Sequence, residues 1–147
     1  MQRSRIMKIS LGFLLVAMVL LSNSGQAQDV SLTDPTVLTI QEKVLLPFFE
    51  ALKSGDVSVI KNHMSLDLYA RNRVLLDENR EYPAFLRDYY KDISFRTLKA
   101  EEVFSGDGIV FSVSFDYVNG KSIIHELNLS RAKRGNLQSD VWVIENF

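Results

Sequence analysis

"IVFSVSFDYVNGKSIIHELNL", residues 109–129, decides how the chain folds. Ile109, Phe111, Val113, Phe115 and Tyr117 form one row, alternating with Val110, Ser112, Ser114 and Asp116, which is the period of a half-buried strand. Further on, Ile123, His125, Leu127 and Leu129 alternate with Ile124, Glu126 and Asn128. A two-residue Asn119-Gly120 turn would set Phe115 opposite Ile124 and Val113 opposite Glu126. That mixes the faces, because opposed residues of a hairpin share a side. A three-residue turn, Val118-Asn119-Gly120 with Gly120 left-handed, pairs Phe115 with Ile123, Val113 with His125 and Phe111 with Leu127 instead. His125 is thereby placed among core aliphatics on the inner face.

Outward from this hairpin, residues 93–104 read as a preceding strand, and Gly106-Asp107-Gly108 as its turn. A loop over Arg131, Lys133, Arg134 and Gly135 leads to a last strand, 141–144, where Trp142 and Ile144 share a side. The N-terminal half has helical spacing. Asp34-Pro35 offers one helix start and Thr39 with Glu42, a capping box, offers another. Ile40, Val44, Phe48 and Leu52 recur every fourth residue up to Gly55, and Pro47 predicts a kink or break around residues 43–47. Asp56 caps a short helix to about Met64, and residues 66–76, which do not alternate, read as helix. Tyr82, Phe85, Leu86, Tyr89 and Tyr90 fall at i, i+3, i+4, i+7 and i+8, a helix with one buried face that serves either the core or a ring-lined pocket wall. Helices first and antiparallel strands second give an α+β fold, with the N-terminal helices on one face of a curved sheet.

The first 27 residues follow a secretory order: Arg3, Arg5 and Lys8, an apolar run from Ile9 to Leu21, then small and polar residues to Ala27. The run is shorter than the roughly 20 residues that a spanning helix needs, so cleavage after Ala27 and no remaining membrane span are expected. The chain has 147 residues and no cysteine. That excludes a lipid-modified cysteine, a disulfide framework, a thiol nucleophile and c-type haem attachment. Residues 28–37 read as a flexible N-terminal segment and 38–147 as a single domain, periplasmic or secreted. Without Arg3, Arg5 and Lys8, the 17 basic residues fall to 14 against 18 acidic ones, a net charge of about −4. Nucleic-acid and anionic-membrane partners are disfavoured on that balance.

The order of elements resembles the nuclear transport factor 2-like superfamily, which includes ketosteroid isomerase and polyketide cyclases. The resemblance rests on "LLPFFEALKSGDVSVIKNHMS" (45–65), "EYPAFLRDYY" (81–90) and "VWVIENF" (141–147). It implies a cone of helices cupped against a bent sheet, often with a cavity at the open end, and it also allows dimerisation through the sheet. The fold hosts enzymes and binding modules alike. An isomerase-like member would carry an inward carboxylate base with a tyrosine or protonated-acid donor. Here Asp116 and Glu126 fall on the outer face, which is mostly small and polar, so a monomer or a modest homodimer is expected.

The expected function is therefore a non-enzymatic accessory domain of the cell envelope, binding a small apolar or amphipathic ligand or an envelope protein. Candidate ligand-binding residues are Phe48, Tyr82, Phe85, Tyr89, Phe111, Val113, His125, Leu127 and Trp142. Phe48, Phe85, Tyr89, Phe111, Val113, Leu127 and Trp142 are expected to share one core. The alternative is a small cone-fold enzyme, an isomerase, dehydratase or cyclase, with His125 as acid–base catalyst. A polar partner for His125 is expected, Tyr89 first, because an unpaired buried imidazole is costly. No cofactor or metal is expected. His63 and Asp67 are four apart, but too few ligands accompany them for a zinc site, and His63 reads as a surface residue.

Overall fold

The hairpin register is the one that the side-chain pattern requires. In the computed structural model, which describes residues 27–103, 107–134 and 137–147, Phe111 pairs with Leu127, Val113 with His125 and Phe115 with Ile123. Tyr117 N–H donates to the Lys121 carbonyl (2.8 Å) and Gly120 N–H to that of Tyr117 (2.9 Å), which closes the three-residue turn. Gly120 takes φ +81°, the left-handed conformation that glycine adopts without steric cost. The expected signal peptide, apart from Ala27, lies outside the described residues, as do the expected turn residues Gly106 and Gly135.

The sheet has five antiparallel strands in the order β1 (Gln28–Val30), β2 (Ser94–Val103), β3 (Gly108–Asp116), β4 (Ser122–Arg134) and β5 (Leu137–Ile144). The register shifts between Thr97 and Lys99 and between Arg131 and Lys133, irregularities that bend a sheet and strengthen its twist. Two expectations change here. Part of the segment expected to be loose, Gln28–Val30, pairs with Glu102–Ala100, because backbone pairing at a sheet edge needs no apolar side chain. The basic run expected in a loop belongs to β4, where the Arg131 guanidinium lies 5.3 Å from the Trp142 ring centre.

On the helical side, Asp34 wins the competition for the first cap. Its carboxylate accepts from Thr36 N–H (2.8 Å) and Val37 N–H (3.3 Å), and Pro35 opens α1 (Pro35–Ile40). Thr39 lies inside that helix and donates to the Pro35 carbonyl instead. The disturbance expected from Pro47 appears as one π-helical turn, Gln41–Leu45, running into α2 (Leu46–Ser54). Leu46 N–H reaches the Gln41 carbonyl in this wider turn, just before the proline that has no N–H to give. The stripe Val37, Ile40, Val44, Phe48 and Leu52 thus stays buried across the interruption.

Gly55 ends α2 at φ +72°, and a Cβ there would lie 2.2 Å from the Pro83 carbonyl oxygen. Only glycine lets this turn press so closely on α5 (Tyr82–Tyr90). Asp56 and Ser65 cap α3 (Val57–His63) and α4 (Leu66–Arg73) by accepting from Val59 and Leu68 N–H. Asp77, in a second π-helical turn (Val74–Glu78), accepts from the Tyr69 hydroxyl (2.5 Å) and the Lys61 ammonium (2.9 Å), tying α3 to α4 and the turn after it. These hydrogen bonds hold the Asp77 carboxyl below its usual range, Tyr69 contributing more than Lys61.

The core lies between the helices and one face of the sheet. Phe48, Phe111 and Val113 have no solvent exposure, Leu127 likewise, and Trp142 is 8 % exposed. Phe85 and Tyr89 do not join them, since they are 56 % and 49 % exposed. Only Leu86 of that stripe is fully buried, because α5 turns part of its aromatic face away from the core. His63 is half-buried rather than superficial, and burial lowers its pKa. It ends α3 while Asp67 sits in α4, so the two share no helix.

Candidate functional site

Helix α5 presents Tyr82, Tyr89 and Tyr90 toward the turn end of the β3–β4 hairpin, where Phe115, Tyr117, Ile123 and His125 project from the inner face. Alternation places Phe115 and Tyr117 two residues apart on one side and His125 two beyond Ile123. Met64, Leu68, Asn72, Leu76 and Phe147 complete the wall of a cavity of about 330 Å³. Met64 and Ser65 are fixed to the end of β5, where Ser65 N–H donates to the Ile144 carbonyl (2.9 Å). The Arg71 guanidinium donates to the Glu145 carbonyl (3.0 Å) and secures α4 beside them.

His125 sits on this wall, exposed, with its ring centre 4.3 Å from that of Phe115 at a 38° tilt. The expected bond to Tyr89 is not made. The Tyr89 hydroxyl lies 3.2 Å from the Tyr117 hydroxyl instead, and no hydrogen bond reaches His125 among the described residues. Exposure removes the desolvation cost that made a partner necessary. Tyr89 and Tyr90 meet edge to face at 4.8 Å, and Tyr90 also approaches Phe95, Phe115 and Phe147.

Tyr82, Tyr90 and Tyr117 on this wall resist ionisation. Burial first, then the neighbouring phenols Tyr89, Tyr82 and Tyr117, push Tyr90 up to about 12. Burial alone raises Tyr82, and the hydrogen bond with Tyr89 is the main cause for Tyr117. No aspartate or glutamate side chain lines the cavity among the described residues. Asp116 is on the outer face, where it accepts from the hydroxyls of Ser114 and Ser122 at 2.6 Å each and lies 3.5 Å from Arg96.

Of the nine candidate residues, Tyr82, Tyr89 and His125 line this cavity. Phe48, Phe111, Val113, Leu127 and Trp142 form the packed floor of the domain, and Phe85 stacks outside against Tyr82 and Tyr89 at 6.1 and 5.8 Å. Tyr90, Tyr117, Asn72 and Phe147 were missed. The alternation through Phe115 signals Tyr117, and the i+8 position in the 82–90 stripe signals Tyr90. Asn72 carries no such signal; its amide donates to the Leu68 carbonyl (2.9 Å). A second, wider groove of about 700 Å³ runs between helical residues 38–53 and residues 94–97 of β2, with Glu42, Glu50 and Lys53 along it.

These features define an α+β domain in which helices cover one face of a curved antiparallel sheet and an aromatic cavity opens beside the central hairpin. No family model and no curated protein matches the sequence. Among solved structures, the chain is similar to a Campylobacter jejuni protein with the provisional name NTF2-like transpeptidase. The TM-score is 0.48 at 14 % identity, covering 70 % of this chain and 95 % of that one.

Proposed function

We propose that this protein is an exported nuclear transport factor 2-like domain that binds a small amphipathic molecule in its tyrosine-rimmed cavity, as an accessory component of the cell envelope. The observation carrying this reading is the composition of the cavity wall. Aliphatic and aromatic surfaces from Leu68, Leu76, Phe115 and Phe147 surround a few polar groups, Tyr82, Tyr90, Asn72 and His125. That is the usual make-up of a ligand pocket, and the volume lies at the lower end of the roughly 300–1,000 Å³ such pockets span. The leader-like sequence of residues 1–27 supports export.

A second reading, acid–base catalysis, is favoured by the open His125 imidazole on the same wall. Native mass spectrometry of the protein purified from its own envelope fraction separates the outcomes. Binding predicts a small-molecule adduct that denaturation releases and Tyr90→Ala abolishes. An adduct-free spectrum, together with turnover of an isomerisation, dehydration or cyclisation substrate that is lost in His125→Ala, would replace binding with catalysis.

A further inference from the structure

The cavity wall is asymmetric in its chemistry. Two half-buried phenols, Tyr82 and Tyr90, have no hydrogen-bond partner for their hydroxyls among the described residues, and neither has the His125 imidazole. Tyr89 and Tyr117 already share one hydroxyl hydrogen between them. One amide hydrogen of Asn72 is committed to the Leu68 carbonyl. The polar side chains on the wall are phenols, an imidazole and a carboxamide, each able to donate, and no acidic side chain stands among them.

We infer that the cavity's ligand is a small carboxylic acid with an aromatic or branched aliphatic body, its carboxylate taken by the hydroxyls of Tyr82 and Tyr90 and the imidazole of His125. The inference rests on the binding role proposed above. A carboxylate offers about four acceptor sites and no donor, which complements several unpaired O–H and N–H groups. Hydrogen bonds to an ionised acceptor are roughly twice as strong as neutral ones. The phenols stay protonated, and so remain donors, well beyond neutral pH, because burial raises both Tyr82 and Tyr90. Phe115 and Phe147, with Leu68 and Leu76, provide apolar surface for the body of the ligand. A cationic head would find ring faces but no acidic side chain among the described residues of this wall.

Calorimetry with three probes of one shape tests the class: 3-phenylpropionate, 3-phenylpropan-1-ol and 3-phenylpropylammonium, each titrated into the purified protein as recovered after export. The acid should bind about tenfold or more tighter than the other two. Tyr90→Phe, which removes one hydroxyl and keeps the ring, should weaken the acid about tenfold and leave the ammonium unchanged. Equal binding of acid and alcohol, or tighter binding of the ammonium, would overturn the carboxylate inference while leaving a binding cavity in place. No binding of any probe, with no change in the aromatic NMR signals of the cavity, would remove both.

Discussion

Val113 and His125 face each other across the β3–β4 ladder, yet Val113 is fully buried and His125 is open to solvent. On β4 the core therefore gives way to the cavity wall between buried Leu127 and exposed His125, while β3 keeps Phe115 buried one same-face pair further toward the turn. Truncating the ring at a core position of the same row, Phe111→Ala, should cost about 3–5 kcal/mol in urea unfolding. His125→Ala should stay within about 0.5 kcal/mol, as exposed substitutions do. A large loss for His125→Ala would mean that the imidazole is structural.

The two left-handed glycines should respond differently to a methyl group. Gly120→Ala meets no atom within 4 Å, so only backbone strain of roughly 1–2 kcal/mol is expected. Gly55→Ala adds a collision with the Pro83 carbonyl and should lose clearly more stability. Equal losses in the two unfolding curves would show that the turn after α2 does not press on α5.

Alkaline stability should carry the signature of Tyr90. Its pKa is raised to about 12 from an ordinary 10, so the folded state keeps the phenol proton at pH values where the unfolded chain releases it. The sign follows from linkage: this contribution is complete below about pH 10 and is lost as pH rises toward 12. Tyr90→Phe should flatten the fall in melting temperature over that window, and an unchanged profile would place the slope elsewhere.

The proposed export makes a simple mass prediction. Protein recovered from outside the cytoplasm should begin at Gln28, with residues 1–27 removed. An intact mass retaining them in a membrane fraction would contradict both the cleavage and the reading of the processed protein as soluble.

The sheet was legible because one residue of register moves every side chain to the other face. The clash of Val113 with Glu126 in the shorter turn was enough to choose the observed one. Helix starts were legible where a cap side chain and a proline coincide, as at Asp34-Pro35. Exposure along α5 was not. Period 3.6 marks a face, but whether Phe85 and Tyr89 meet core or solvent depends on how the helix is set against the sheet, which is a tertiary property. Tyr89 was paired with the wrong group for the same reason, since Tyr117 reaches it first from the end of β3. The edge strand Gln28–Val30 depends on backbone pairing with β2, which composition does not encode.

Crystals soaked with the phenylpropyl acid, alcohol and ammonium test the central claim most directly, because they locate a small molecule whichever head group it carries. Density between Tyr90, Phe115 and His125 is the predicted result. Density confined to the groove between residues 38–53 and 94–97, or none in the cavity at millimolar probe, would contradict the assignment of that cavity as the binding site.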